Sequence, residues 1–72
     1  MRLRVTVEGM IAVHAKRALF TALAGVPGVH SAEVEMGSAV VVCERGAEPA
    51  VRQAVLDAGF SIGGVMRELP TL

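Results

Sequence analysis

The chain opens with a regular alternation of apolar and polar residues. Leu3, Val5 and Val7 are the apolar positions, and two arginines and a threonine separate them. A period of two predicts a strand with one buried face. The alternation stops at Glu8-Gly9-Met10-Ile11, where Gly9 indicates a turn.

From Ala12 to Ala24 the apolar residues are spaced by three and four, which predicts a helix. The face expected to be buried consists of Ala15, Leu19, Ala22, Leu23 and Val26. Lys16 and Arg17 fall on the opposite face. Gly25 and Pro27 are expected to end the helix, because glycine and then proline commonly follow a last helical turn.

Two further alternating segments with a short turn signal between them predict a β-hairpin. The first arm is Val29 to Met36, and its predicted inward residues are Ala32, Val34 and Met36. Gly37-Ser38 is the predicted turn, and Ala39 to Glu44 is the second arm. Because Val40-Val41-Val42 is apolar on both faces, the inward side of this arm stays open, and so does the orientation of Cys43.

Glu48-Pro49 is expected to open a second helix, since proline suits the first helical position and an acid suits the positive helix end. Its predicted buried stripe is Val51, Ala54, Val55 and Ala58. Gly59 ends it, and Ile62 to Leu69 is the last predicted strand, weakened by Gly63-Gly64.

The predicted order is strand, helix, strand, strand, helix, strand. With right-handed crossovers, this order predicts an α+β fold: a ferredoxin-like βαββαβ sandwich with a four-stranded antiparallel sheet and two helices on one face. The chain has 72 residues, enough for one small core, so we expect residues 1–72 to form a single domain.

Charge and composition exclude several functional classes. Seven basic and seven acidic residues give a net charge of zero, which argues against a nucleic-acid partner. No apolar run reaches the roughly 18 residues that a membrane span needs, and the alternating N-terminus does not resemble a signal peptide. We therefore expect a soluble, cytoplasmic protein without direct membrane insertion. A single cysteine, Cys43, excludes an internal disulfide.

Catalytic groups are not evident either. The glutamates that might suggest paired carboxylates are Glu33, Glu35, Glu44 and Glu48, and none is matched with a nucleophile. The sequence contains no phosphate loop and no Ser-His-Asp pattern. We do not expect an enzyme.

The segment from Val7 to Ala15 resembles the signature of heavy-metal-associated domains, Gly-Met-Thr-Cys-x-x-Cys, in which a His often precedes the second Cys. Gly9, Met10 and His14 are in register with it, Ile11 replaces Thr, and Ala12 and Ala15 replace the two cysteines. The likeness continues through Leu19, Leu23, Val26-Pro27-Gly28-Val29, Ala32-Glu33-Val34 and Ala58-Gly59-Phe60.

This family includes bacterial copper chaperones, a mercury-binding protein and the N-terminal domains of metal-exporting P-type ATPases. The resemblance implies a metallochaperone or ion-transport domain that carries Cu(I), or a similar soft ion, to such an ATPase or another Cys-rich acceptor. Soft thiolates select these ions, and the start of a helix lowers the thiol pKa. In the family the metal ligands stand at positions 12 and 15. Here both carry methyl groups, so we expect this form to bind no metal.

Two explanations for the alanines remain open: an engineered double Cys-to-Ala variant, or a natural domain that has lost metal binding. Engineering is favoured because both ligands are replaced while the motif stays readable, although Ile11 is a departure that a ligand knockout does not require. An alternative function is a metal-independent protein-interaction or regulatory domain, acting as a monomer or a weak dimer.

Four further residues carry groups that could take part in a metal site or lie beside one. His14 and Met10 offer an imidazole and a thioether, but an exposed loop histidine and a packed methionine are the simpler interpretations. Phe60 stands where the family has a residue that shields the metal, and it is expected to cap the core here. Cys43 is expected to be inert and far from the loop.

Overall fold

Six regular elements form, as the sequence predicts, in the computed structural model, which describes residues 1–11 and 14–68. The strands are β1 (Arg2–Glu8), β2 (Val29–Glu35), β3 (Ser38–Cys43) and β4 (Ser61–Glu68). The helices are α1 (Ala15–Ala24) and α2 (Glu48–Asp57). A short 3₁₀ turn, Arg45–Ala47, precedes α2 and was not anticipated from the sequence.

The four strands make one sheet in the order β2-β3-β1-β4, and every neighbouring pair is antiparallel. Both crossovers skip one strand: α1 connects β1 to β2, and α2 connects β3 to β4. This arrangement is the predicted ferredoxin-like fold.

The core lies between one face of the sheet and both helices. It is built from the inward residues of the strands and the apolar stripes of the helices, including Leu3, Val5, Val7, Leu19, Leu23, Ala39, Val41, Cys43, Val51 and Val55. The even-numbered side chains of β1 point to the other face of the sheet and are exposed. In the described residues, no helix is long and apolar enough to cross a membrane.

The hairpin differs from its prediction by one residue. The turn is Met36-Gly37, and β3 begins at Ser38. Gly37 has a φ of +89°, which a glycine adopts without strain, so it sits inside the turn. Met36 consequently leaves the sheet and is 55% exposed, and its predicted place in the core was wrong.

Element ends also differ from the predicted ones. Helix α1 does end at Gly25, but that glycine has a right-handed φ of −84°, so its special freedom is not used. The predicted start of α1 at Ala12 and the predicted end of β4 at Leu69 lie outside the described residues. Strand β4 pairs with β1 through a register shift between Thr6 and Val7.

Candidate functional site

The loop between β1 and α1 begins with a tight turn at Gly9. This glycine has a φ of +93°, a conformation that side-chain-bearing residues rarely adopt, and its carbonyl accepts a hydrogen bond from the Ile11 N–H at 3.0 Å. The ring of Phe60 lies close by, since a Cβ added to Gly9 would be 4.0 Å from Phe60 Cδ1. The structure therefore brings Phe60 beside the loop, half-buried and packed against the core.

Met10 points inward from this loop. Its side chain is 7% exposed, and its Sδ atom accepts a hydrogen bond from the Gly37 N–H at 3.3 Å. The Gly37 carbonyl in turn accepts a hydrogen bond from the Val7 N–H at 2.9 Å. Met10 is thus a supporting residue whose thioether is already engaged.

Ile11 points outward. It is 94% exposed, more than any other large apolar residue in the described part of the chain. In the sequence, Ile11 replaces the threonine of the signature and belongs to a run of apolar residues, Met10 to Val13, that could favour association. The apolar run does not reveal which of its side chains points outward.

The end of the loop leads directly into α1. His14 is exposed and takes the capping position, where its side chain makes no capping hydrogen bond, although its carbonyl accepts the Ala18 N–H at 3.0 Å. Ala15 is the first residue of α1, and it is 5% exposed with its methyl group in the core. Ala12, the other candidate position, lies outside the described residues.

Cys43 lies at the opposite end of the sheet. It is fully buried at the end of β3, and its N–H donates to the Met1 carbonyl at 2.8 Å. Met1 and Gly9 are eight extended residues apart, roughly 26 Å at about 3.3 Å per residue. Burial raises the pKa of the Cys43 thiol, while the N-terminal ammonium opposes this and Glu48 adds to it. The only thiol is therefore neither near the loop nor disposed to ionise.

The basic residues after the loop differ in their partners. Lys16 Nζ lies 3.7 Å from Glu35 Oε2, an exposed ion pair that joins α1 to the edge strand β2. Arg17 is exposed and takes part in no ion pair among the described residues. An exposed ion pair of this kind contributes about 0–1 kcal/mol to stability. Lys16 can therefore exchange Glu35 for an acidic group of a partner at little cost, and Arg17 can bind such a group directly.

No protein-family model matches the chain, and no curated protein is similar to it in sequence. Solved structures do match. A copper-binding domain of the P-type ATPase HMA7 is 29% identical, with a TM-score of 0.82 over 93% of this chain and 96% of that one. The metallochaperone CopZ is also 29% identical, with a TM-score of 0.78 over 86% of this chain and 98% of that one.

The N-terminal domain of PacS from Synechocystis is 28% identical, with a TM-score of 0.81 over 93% of this chain and 98% of that one. In structure, the chain is similar to these heavy-metal-associated domains. The fold is shared further, with MerP from Ralstonia metallidurans at 23% identity and a TM-score of 0.78.

The donor atoms of this chain do not match a site for a soft ion. The two positions that the resemblance assigns to thiolate ligands, 12 and 15, carry alanine, whose side chain offers no lone pair. Within residues 1–11 and 14–68, no three His, Cys, Asp or Glu residues come together as metal ligands. The described loop contributes one free imidazole, from His14, and one occupied thioether, from Met10.

Proposed function

We propose that this chain is a heavy-metal-associated domain of a metal-trafficking system that carries no ion in its own loop. The observation that carries the proposal is the placement of sulfur: alanine stands at both ligand positions, and the one thiol is buried at the far end of the sheet. Among the similar structures, one is a copper-binding domain of a P-type ATPase and another is a metallochaperone.

The scaffold around the missing ligands supports this reading. Gly9 turns the chain, Met10 holds the loop from inside, and Ala15 begins α1 with its side chain directed into the core. The free backbone N–H groups and the partial positive charge at the start of α1, which begins at Ala15, would favour a thiolate placed beside them. The described part of the loop therefore fits a scaffold for soft-ion ligands, and alanine at positions 12 and 15 leaves it without thiols.

Titration with Cu(I) in the presence of a competing Cu(I) chelator tests the proposal. We expect the unmodified chain to leave the chelator complex intact at one equivalent. The Ala12→Cys/Ala15→Cys variant, made in a Cys43→Ala background, is expected to withdraw one Cu(I) per chain. Tight one-to-one uptake by the unmodified chain would refute the proposal.

A matched control separates the loop from thiols in general. Ala18→Cys/Ala24→Cys adds two thiols at exposed positions of α1, in the same Cys43→Ala background. We expect this control to compete far less well, because its thiols point to different sides of the helix. If the loop variant binds no better than this control, the assignment of positions 12 and 15 is wrong.

A second candidate function is metal-independent docking, and the exposure of Ile11 favours it. An isoleucine that is 94% exposed after the end of β1 provides apolar area that a partner can bury. The partner class would be the metal-binding domain of a metal-exporting P-type ATPase or another Cys-rich acceptor. NMR titration with such a domain would show shifts at residues 9–11, which Ile11→Ser should abolish and Phe20→Ser should leave unchanged.

A further inference from the structure

The sheet has a second face, which no described helix covers. We call it the outer face, and its side chains are those that alternate with the core residues of each strand. Across three neighbouring strands they form three stripes of different character. The stripes are acidic on β2 (Glu33 and Glu35), apolar on β3 (Val40 and Val42) and basic on β1 (Arg2 and Arg4).

Strand register places these residues in straight rows. Val40 pairs with Glu33 on one side and with Arg4 on the other, so the three lie side by side at one height. In the neighbouring row, Val42 lies between Ser31 and Arg2. The valines are half-buried, and they separate the acidic stripe from the basic one.

Charge on this face is not balanced within each stripe. Arg2 Nε and Arg4 Nη2 both approach the same Glu68 oxygen, at 3.4 and 3.5 Å, so two positive charges share one carboxylate. On the other side of the valines, Glu33 forms no ion pair within the described residues. In the rows of Val40 and Val42, the outer face therefore has a positive excess on β1 and a negative one on β2, while Glu8 lies at the other end of β1.

We propose that the outer face binds a second copy of this chain, face to face, around a two-fold axis parallel to β3. Rotation about such an axis reverses the order of the strands in the partner, and each row of side chains faces the same row of the partner. Val40 then meets the partner's Val40, and Glu33 meets the partner's Arg4. Sheets packed face to face lie about 10 Å apart with strands about 30° from parallel, a separation that these side chains span.

The other in-plane two-fold axis, which runs across the strands, is disfavoured by the same charges. It would place acidic stripe on acidic stripe and basic stripe on basic stripe, and like charges brought together in an interface are repelled. A self-complementary patch of this kind gives a closed dimer rather than a chain of subunits.

The area of contact between the two outer faces predicts a weak dimer. Three strands about 4.8 Å apart and about seven residues long project roughly 300 Å² per copy, below the roughly 800 Å² per partner of a stable standard interface. We expect association at high micromolar concentration, weakened by salt because the charge pairs at the rim are screened.

Sedimentation equilibrium from micromolar to millimolar concentration, at low and high salt, tests the inference. Glu33→Arg and Arg4→Glu are each expected to raise the dimer dissociation constant by about tenfold or more, since each puts like charges opposite one another. The double variant exchanges the two charges and should restore dimerisation. Arg17→Glu, an exposed charge reversal on α1, is the matched control and should change nothing.

A chain that stays monomeric across the whole range would overturn the inference, as would single variants that dimerise like the parent. Loss of dimerisation in Ile11→Ser would also overturn it, because that result would show that the dimer contact lies at the loop between β1 and α1. Circular dichroism on each variant identifies unfolding. If Arg4→Glu is destabilised, Glu33→Arg alone remains decisive, because Glu33 forms no ion pair within the described residues. The outer face does not include the loop, so this result is independent of the Cu(I) titration.

Discussion

The N–H of Gly37 donates a hydrogen bond to the Sδ atom of Met10, at 3.3 Å. Since the carbonyl of the same glycine accepts from Val7, both polar groups of one turn residue are bound to the segment around the end of β1. The hairpin turn and the candidate loop therefore behave as one unit.

Replacing Met10 tests that unit. Met10→Leu keeps most of the apolar volume and loses the acceptor, so we expect a loss of about 1 kcal/mol in the free energy of unfolding. Met10→Ala also leaves a cavity and should cost about 2–4 kcal/mol. Urea unfolding measures both. Met36→Leu, at an exposed position one residue from Gly37, should be neutral, and an equal cost there would contradict the assigned role of Met10.

The ion pairs of Glu48 predict a dependence of stability on pH. The hydrogen bond from Arg67, at 2.8 Å, is the main cause that holds the pKa of Glu48 below its ordinary value of 4.5. A lowered folded pKa adds stability that is complete above pH 4.5 and is lost as the pH falls through the folded value.

Thermal melts from neutral pH to pH 3 check this prediction. The difference in Tm between the parent and Glu48→Gln should be largest near neutral pH and shrink in acid, as the parent carboxylate is protonated. Glu44→Gln, at an exposed glutamate without an ion pair among the described residues, provides the baseline. A difference that grows in acid would show that the sign is wrong.

Cys43 is expected to resist thiol reagents in the folded protein. It is fully buried, and burial raises its thiol pKa, so both access and thiolate fraction are low. Labelling at mild alkaline pH should be slow and should accelerate in urea, because the open state reacts. The matched control is Ala18→Cys in a Cys43→Ala background, which should label at the rate of a free thiol. Equal rates would place Cys43 at the surface.

Two adjacent glycines of β4 should respond differently to alanine. A Cβ at Gly63 would lie 3.0 Å from Glu8 Oε2 and 3.2 Å from Thr6 Cγ2, while one at Gly64 would meet nothing within 4 Å. The glutamate can move away, but the branched threonine has little rotamer freedom in a strand. We expect Gly63→Ala to be about 1 kcal/mol less stable than Gly64→Ala in urea unfolding. Equal stability would mean that the strands adjust freely.

Much of the fold follows from local patterns. The alternation in β1 predicts its buried face correctly, because one face of the strand is apolar, the other is polar, and only the apolar one can face the core. In β3 the run Val40-Val41-Val42 has no such contrast. Its inward face is decided by pairing with β1, where Val41 lies beside Leu3, and this long-range contact directs Cys43 into the core.

The candidate site is less accessible to sequence reasoning. The likeness of residues 7–15 to a known signature locates the loop, and the structure places Met10, His14 and Phe60 around it. The inward position of Met10, next to the exposed Ile11, involves a hydrogen bond with a turn 27 residues away, and a local sequence pattern does not reveal such a contact.

Strand order also has a consequence for how the chain reaches this fold. Strand β1 is made first, yet both of its neighbours, β3 and β4, come later in the chain. During synthesis it emerges from the ribosome with two open edges, and the second closes only when β4 has been translated. Pairings that join distant parts of a chain slow folding and prolong the exposure of unpaired strands. Any stop before β4 would release a nascent polypeptide with a bare edge on its central strand, open to chaperones or to aggregation.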